Sequence, residues 1–263
     1  MASVEILRAH RLSLSAEPML KALASAARAA GDQVKETGRF EGRSDWLVLF
    51  GVGAAVNDRA RRWQLARGKR VLLWDLGYVD RNKGVGHLRM SIDTDHPQVW
   101  LEKTEGLPDR WAQLDVPLRE DADPAGPVLL IGLGRKSRAY MRLPHWERDM
   151  LARLEKRFVG RQIIFRPKGK DITQLPCLTD RETPIEQLLR GASLVVCRHS
   201  NAAVDAAIGG VPFEAQDGAA MWLQHREFTP ANRLEFLQRL AWWQWRATEA
   251  AEAWTFAKLI TNT

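Results

Sequence analysis

The chain has 263 residues, enough for one large domain or for two α/β lobes of roughly 130 residues each. An apolar fraction of 45% and a charged fraction of 27% are ordinary for a globular protein, and no tandem repeat or low-complexity tract interrupts it. The formal net charge of +7 favours a polyanionic partner or an anionic membrane surface, although the basic residues are spread out and form no single long run.

No apolar run approaches the roughly 18 residues of a membrane-spanning helix. The opening MASVEILRAHRLSLSAEPML is broken by Glu5, Arg8, His10 and Arg11, so no secretory leader is expected. Cys177 and Cys197 lack metal-ligand spacing, and a reducing cytoplasm is the expected compartment. Eleven Trp against two Tyr point first to core packing and second to stacking on sugars or bases.

In chain order, residues 14–36 read as an Ala-rich helix with Ser15 as cap and Pro18 in the first turn. WLVLFGV (46–52) reads as a buried parallel strand that turns at Gly51 and Gly53. Residues 54–67 then form a helix and RVLLW (70–74) the next strand, completing a β-α-β unit. A long polar loop follows over 75–98, with a strand at 87–92. Turn signals fill 99–127 and place a lobe boundary near 120–126.

The second lobe restarts the pattern. PVLLIGLG (127–134) reads as a strand, 144–158 as a helix and RQIIFRPKG (161–169) as a strand running into a basic loop. Residues 184–190 read as a short helix capped by Thr183, SLVVCRHS (193–200) as a strand, 201–209 as a helix and VPFEA (211–215) as a strand. Residues 230–260 read as one or two terminal helices. This alternation predicts an α/β fold of two Rossmann-like lobes with parallel sheets. The expected division is 1–122, 123–229 and 230–263.

The strand of SLVVCRHSNAAVDAAIGGVPFEAQDG delivers Arg198, His199, Ser200 and Asn201 to its carboxyl end, where a helix begins at once. Free N–H groups and the helix dipole there favour a phosphate, and the Ser200 hydroxyl suits capping or donating to an anion. Glu214, Asp217 and Gly218 follow the next strand, where a carboxylate suits a ribose diol. His199 and Ser200, adjacent on a strand, point to opposite faces, which excludes a serine-hydrolase pair.

The segment PIEQLLRGASLVVCRHSNAAVDAAIGGVPFEAQDG, with its small-residue helix, Gly-Val-Pro and acidic residue, resembles the donor-binding core of GT-B glycosyltransferases. The resemblance covers the second lobe from Arg135 to Gly218, and the first lobe is placed by analogy of architecture. It implies a nucleoside diphosphate sugar as donor substrate and no cofactor. Arg166 and Lys168 would then neutralise the pyrophosphate, with Arg135 and Lys136 beside them and His199, Ser200, Asn201, Glu214, Asp217 and Gly218 completing the donor site. It also implies terminal helices that cross back to the first lobe, which accounts for Trp242, Trp243, Trp245 and Trp254. No metal is expected, because the DTD of 93–95 lies in a first-lobe loop.

By the same resemblance a base for the acceptor hydroxyl comes from the first lobe. The candidates are Asp75, Asp80, Asp95 and His96, with Asp75 first and Asp95 second, and an alternative role for Asp75 is a buried carboxylate accepting loop N–H bonds. Arg59, Arg62 and Arg81 belong to an Arg-rich stretch that suits duplex phosphates. The favoured acceptor is therefore a hydroxymethylated pyrimidine in double-stranded DNA, as for phage-type DNA-modifying glycosyltransferases. The alternatives are a surface polysaccharide or lipid-linked glycan, and a non-catalytic nucleotide- or DNA-binding module. The residues specify no oligomeric state.

Overall fold

The computed structural model describes residues 1–8, 16–52, 55–81, 86–169 and 171–262. Ser15, the expected cap of the first helix, and Gly53 of the first glycine turn lie outside the described residues. In chain order the chain forms β1 (Ser3–Leu7), α1 (Ala16–Ala29), β2 (Gln33–Thr37), β3 (Trp46–Phe50), α2 (Ala55–Leu65), β4 (Arg70–Leu76) and β5 (Leu88–Ile92). Two 3-10 stretches, Pro97–Thr104 and Trp111–Leu114, occupy the turn-rich segment. Then come β6 (Val128–Ile131), α3 (Arg135–Met141), α4 (Trp146–Arg157), β7 (Ile163–Arg166), β8 (Leu178–Thr179), α5 (Ile185–Leu189), β9 (Leu194–Cys197), α6 (Ala202–Gly209) and β10 (Phe213–Ala215). The chain ends with α7 (Met221–Gln224), α8 (Pro230–Ala241), β11 (Gln244–Trp245) and α9 (Ala250–Asn262).

Contacts divide the chain into two compact units, Met1–Glu105 with Leu240–Thr263, and Gly106–Arg239. Residues 119–121 go with the second unit because they hydrogen-bond along the end of α6: Arg119 N–H to the Ile208 carbonyl at 2.8 Å and Asp121 N–H to that of Gly209 at 2.6 Å.

The first unit holds a six-stranded sheet in the order β11-β5-β4-β3-β1-β2. β2, β1, β3 and β4 run parallel, whereas β5 pairs antiparallel with β4 and β11 antiparallel with β5. The antiparallel edge departs from an all-parallel expectation. A parallel partner needs a crossover of roughly a dozen residues or more, usually a helix, and the described residues between β4 and β5 contain none. The helix expected over 14–36 also divides. Gly31, at φ +82°, ends α1 in the left-handed conformation that glycine adopts without cost, and QVKET becomes an edge strand.

The terminal segment joins this unit as β11 and α9, and α9 packs on α1. Trp254 meets Trp46 edge to face at 5.2 Å, and its indole N–H donates to Asp32 Oδ2 at 2.8 Å. Lys258 reaches the same oxygen at 2.9 Å, and Asp32 Oδ1 accepts the Ala2 N–H at 2.8 Å. Trp46, Trp74, Trp111, Trp146, Trp222, Trp243, Trp245 and Trp254 are all buried, so packing rather than ligand stacking accounts for the tryptophan content.

The second unit holds an all-parallel sheet in the order β10-β9-β6-β7-β8. Val128, Leu130, Phe165 and Val196 form its core with Trp146, Met150, Leu151 and Leu154 of α4. All eight residues of α6 are buried, and small side chains let its backbone lie close to the sheet. Thr183 does not cap α5; Pro184 occupies the cap position, and the Thr183 N–H donates to Asp180 Oδ1 at 2.9 Å. No described helix is long and apolar enough to cross a membrane.

Trp254→Ala removes a fully buried ring and the partner of a buried carboxylate. It is expected to lower the unfolding free energy by about 3–5 kcal/mol. Urea melts check this, and a loss below about 1 kcal/mol would show that the helix is held elsewhere.

Candidate functional site

Ligands of open α/β sheets bind beyond the carboxyl ends of the strands. In the second unit those ends frame a small depression lined by Ile131, Gly132, Leu133, Lys168, Arg198, His199 and Ser200. The end of β6 contributes Ile131 and the turn after it Gly132 and Leu133, and Gly134 follows at φ +76°. A Cβ on Gly134 would stand 3.3 Å from the Lys168 Cβ, so the glycine permits the close approach of the loop after β7. The turn after β9 supplies Arg198, His199 and Ser200. Asn201 stands at the cap of α6 without a side-chain cap bond. Ser200 supplies the local polar contact instead, its Oγ accepting the Ala202 N–H at 3.2 Å.

The tip of β10 closes on the tip of β9. The Asp217 N–H donates to the Arg198 carbonyl at 2.7 Å, and a Cβ on Gly218 would stand 3.4 Å from the His199 Cα. Gln216 Oε1 accepts at once from the Trp146 indole at 2.7 Å and from Arg198 Nη1 at 3.0 Å. The guanidinium of Arg198 is thus fixed at the depression. Its Nε is buried and makes no hydrogen bond among the described residues, a donor that suits an anion.

Other expected donor residues lie apart from this lining. Arg166 donates to the Asp180 carbonyl at 3.2 Å and to its carboxylate at 3.3 Å, holding the loop before α5. Glu214 pairs with Arg157 at 2.5 Å. Arg135 and Lys136 are exposed in the first turn of α3 rather than in a loop. Asp217 accepts its neighbour's N–H, from Gly218, at 2.7 Å.

Three residues at the depression's foundation escape a sequence reading. Arg138 Nη1 meets Glu147 Oε1 at 2.6 Å, and its Nη2 meets Asp171 Oδ2 at 2.5 Å. Glu147 is 2% exposed and Asp171 8%. Glu147 Oε1 also accepts the Leu133 N–H at 3.0 Å, and Asp171 Oδ1 the Thr173 N–H at 2.8 Å. The partners come from separate elements, and no local pattern marks them.

In the first unit, Asp75 is the penultimate residue of β4, with its side chain 36% exposed. Arg89 Nη2 donates to Asp75 Oδ2 at 2.9 Å, and the Leu76 N–H donates to Oδ1 at 2.8 Å. Arg89 also contacts the buried His96, whose Nδ1 lies 3.3 Å from the Tyr78 hydroxyl. Asp75 and His96 therefore share one arginine. Burial pushes the Tyr78 hydroxyl above its ordinary pKa. Asp95 stands apart, paired with Arg61 at 3.1 Å. The other carboxylate of DTD, Asp93, pairs with Arg70 at 2.6 Å.

The arginine-rich stretch is largely committed within the unit. Arg61, Arg70 and Arg89 pair with Asp95, Asp93 and Asp75. Arg62 pairs with Asp58 at 2.9 Å, and Arg67 stacks on Trp63 at 3.4 Å. Arg59 and Arg81 are exposed.

No protein-family model and no curated protein matches the chain. Among solved structures it is similar to the beta Kdo 2,4 transferase of Thermosulfurimonas dismutans KpsC, with a TM-score of 0.54 and 14% identity over 90% of this chain and 89% of that one. The beta Kdo 2,7 transferase of the same KpsC gives 0.48 and 13% over 98% and 99%. The spinosyn rhamnosyltransferase SpnG, complexed with spinosyn aglycone, gives 0.35 and 12% over 100% and 96%. At such identities the first likeness is one of fold. The chain has an α/β, GT-B-like fold with two sheets, rich in parallel strands followed by helices.

Two predictions follow from site chemistry. Burial pushes the Cys197 thiol, next to Arg198, up to about 11, which leaves almost no thiolate at neutral pH. Iodoacetamide at pH 8 is expected to label the half-buried Cys177 ahead of Cys197, and peptide mass spectrometry showing the reverse order would overturn this. Burial tends to raise the Asp171 carboxyl, but the hydrogen bonds of Thr173 and the Arg138 ion pair hold it below the ordinary carboxylate value. Its stabilising contribution is present above an ordinary value of about 4 and is lost as pH falls through the lower folded value. Urea melts at pH 7 and pH 3 are expected to show an acid-induced loss of stability that is smaller in Asp171→Asn than in the parent.

Proposed function

We propose that the chain is a glycosyltransferase that binds a nucleoside diphosphate sugar in the depression at the carboxyl ends of β6, β7 and β9. The observation that carries the reading is the convergence there of Lys168, Arg198, the Ser200 hydroxyl and the amino end of α6. Cations and oriented N–H groups stabilise the charge that develops on a departing nucleotide. Lys168 and Arg198 form the cationic pair in this reading. Arg166 acts one step away by holding the loop before α5, and Asp217 and Gly218 border the site beside His199.

The acceptor hydroxyl attacks the anomeric carbon. A carbon–oxygen bond forms, the bond to the donor phosphate breaks, and the nucleoside diphosphate leaves with the electron pair. Asp75 is assigned as the base that takes the hydroxyl proton, because its carboxylate is partly exposed and oriented by Arg89. His96 is buried and orients Arg89 from the other side. Asp95, held by Arg61, is the second candidate.

The acceptor proposed is a hydroxyl of a surface glycan. The arginines that suit a duplex are mostly paired with carboxylates or stacked on an aromatic ring, which favours a glycan over DNA. The fold shared with a beta Kdo 2,4 transferase points the same way, as analogy of architecture.

A panel of nucleoside diphosphate sugars, incubated with surface-glycan oligosaccharides and separately with hydroxymethylpyrimidine DNA, tests this by product mass. The glycan is expected to gain one sugar. Lys168→Ala and Arg198→Ala are each expected to weaken donor binding by about 1.5–3 kcal/mol, roughly ten- to hundredfold. Asp75→Asn is expected to bind donor and turn it over at least about a hundredfold more slowly. A mass gain on DNA alone would move the acceptor to nucleic acid, donor binding without turnover would leave a binding module, and no donor bound would overturn the reading.

A further inference from the structure

Burying an ion pair is costly unless its geometry is good and its remaining lone pairs are satisfied. Arg138, Glu147 and Asp171 meet those conditions with partners from three places: the first helix after β6, the first turn of α4 and the loop after β7. Burial opposes the charge on Arg138, but Glu147 and Asp171 raise its pKa further above the ordinary value.

Both acidic residues also bond to lining residues of the depression, Glu147 through its carboxylate and Asp171 through its backbone N–H. Glu147 Oε1 accepts the N–H of Leu133, a lining residue, at 3.0 Å. The Asp171 N–H donates to the carbonyl of Lys168, another lining residue, at 3.2 Å. Asp171 is held in turn through its Oδ1 by the Thr173 N–H, and Arg181 bonds the carbonyls of Asp171 and Thr173. The planar guanidinium of Arg138 bridges the two carboxylates. An ammonium offers no such rigid fork.

We propose that Arg138, Glu147 and Asp171 form a clamp of positioning residues that fixes the Leu133 wall and Lys168 relative to each other, so that the lysine is preorganised for the phosphates of a nucleotide donor. The proposal rests on the donor-site reading above. None of the three touches the ligand. Their effect on binding runs through the turn after β6, which the Glu147 carboxylate holds, and through Lys168, whose carbonyl the Asp171 N–H holds while Arg138 and Thr173 fix the Asp171 side chain. A buried network of this kind confers a unique arrangement more than it confers stability.

The test uses Arg138→Lys, which keeps the charge and loses the fork, and Asp171→Asn, which keeps the shape and loses the charge. Hydrogen exchange of the full chain reads the Leu133 and Thr173 amides. Both are expected to exchange faster in either variant, because breaking one arm frees both walls. Calorimetry reads the Kd for inorganic pyrophosphate and for UDP, each expected to rise roughly fivefold to tenfold. On a Lys168→Ala background the same substitutions are expected to add less than about twofold, the non-additivity of residues that act through one another.

Acceleration at Thr173 alone in Arg138→Lys, or effects that multiply with that of Lys168→Ala, would overturn the clamp. So would a lowered Tm with an unchanged Kd, which is what a purely structural role gives. A parent protein that binds neither probe would sink the donor reading by itself. The exchange of Leu133 and Thr173 would then still decide whether the triad couples the two walls.

Discussion

Carboxylates that are buried need a cation and the rest of their hydrogen bonds, and a half-buried guanidinium can serve two of them at once. Glu147 and Asp171 impose that condition on the second unit. Meeting it fixes the turn after β6 through Glu147 and the loop after β7 through Asp171. Between them Gly134 adopts φ +76°, which favours glycine, and a Cβ there would stand 3.3 Å from the Lys168 Cβ. Gln216 plays the matching role on the far strands, drawing Trp146 of the core helix and Arg198 of the strand tip onto one oxygen. The depression is therefore bounded by groups whose positions are set by buried polar contacts.

The sequence carries the strands of this fold unevenly. WLVLF, RVLLW and SLVVC are continuous apolar runs because their strands are covered on both faces, and they read directly as β3, β4 and β9. QVKET is an edge strand, half solvated and polar, so it reads as an extension of the helix before it. β11 has two residues, too few for any period, although Gln244 is fully buried and its side-chain oxygen accepts the Tyr78 N–H. Strand direction is equally hidden, since β5 looks like any other short strand and only its pairing makes it antiparallel.

The site follows the same division. His199, Ser200 and Lys168 are legible because a buried strand ending in polar residues must deliver them to its tip. Arg166 ends β7 and Glu214 lies on β10, but Asp180 and Arg157 hold them. Whether a charged side chain faces a ligand or an oppositely charged neighbour depends on partners 14 and 57 residues away in these two cases. Glu147 shows this most clearly: its sequence context, PHWERD, suggests the solvated first turn of a helix, and it is among the most buried charges of the chain.

Net charge is an unreliable guide to partner for the same reason. A value of +7 suggests a polyanion, yet in the first unit aspartates at 58, 75, 93 and 95 each hold an arginine. Such pairs cancel the field a phosphate backbone would sense beyond about a Debye length. What remains is a difference between the two units. The second presents cations, Lys168 and Arg198, at its strand tips. The first presents a carboxylate, Asp75, braced by a buried arginine that is itself braced by His96 and Tyr78. A group-transfer reaction makes opposite demands on its two substrates, positive charge for the departing phosphate and a proton acceptor for the incoming hydroxyl. The second unit meets the first of these demands with Lys168 and Arg198, and the total charge of +7 does not reveal that difference between the units.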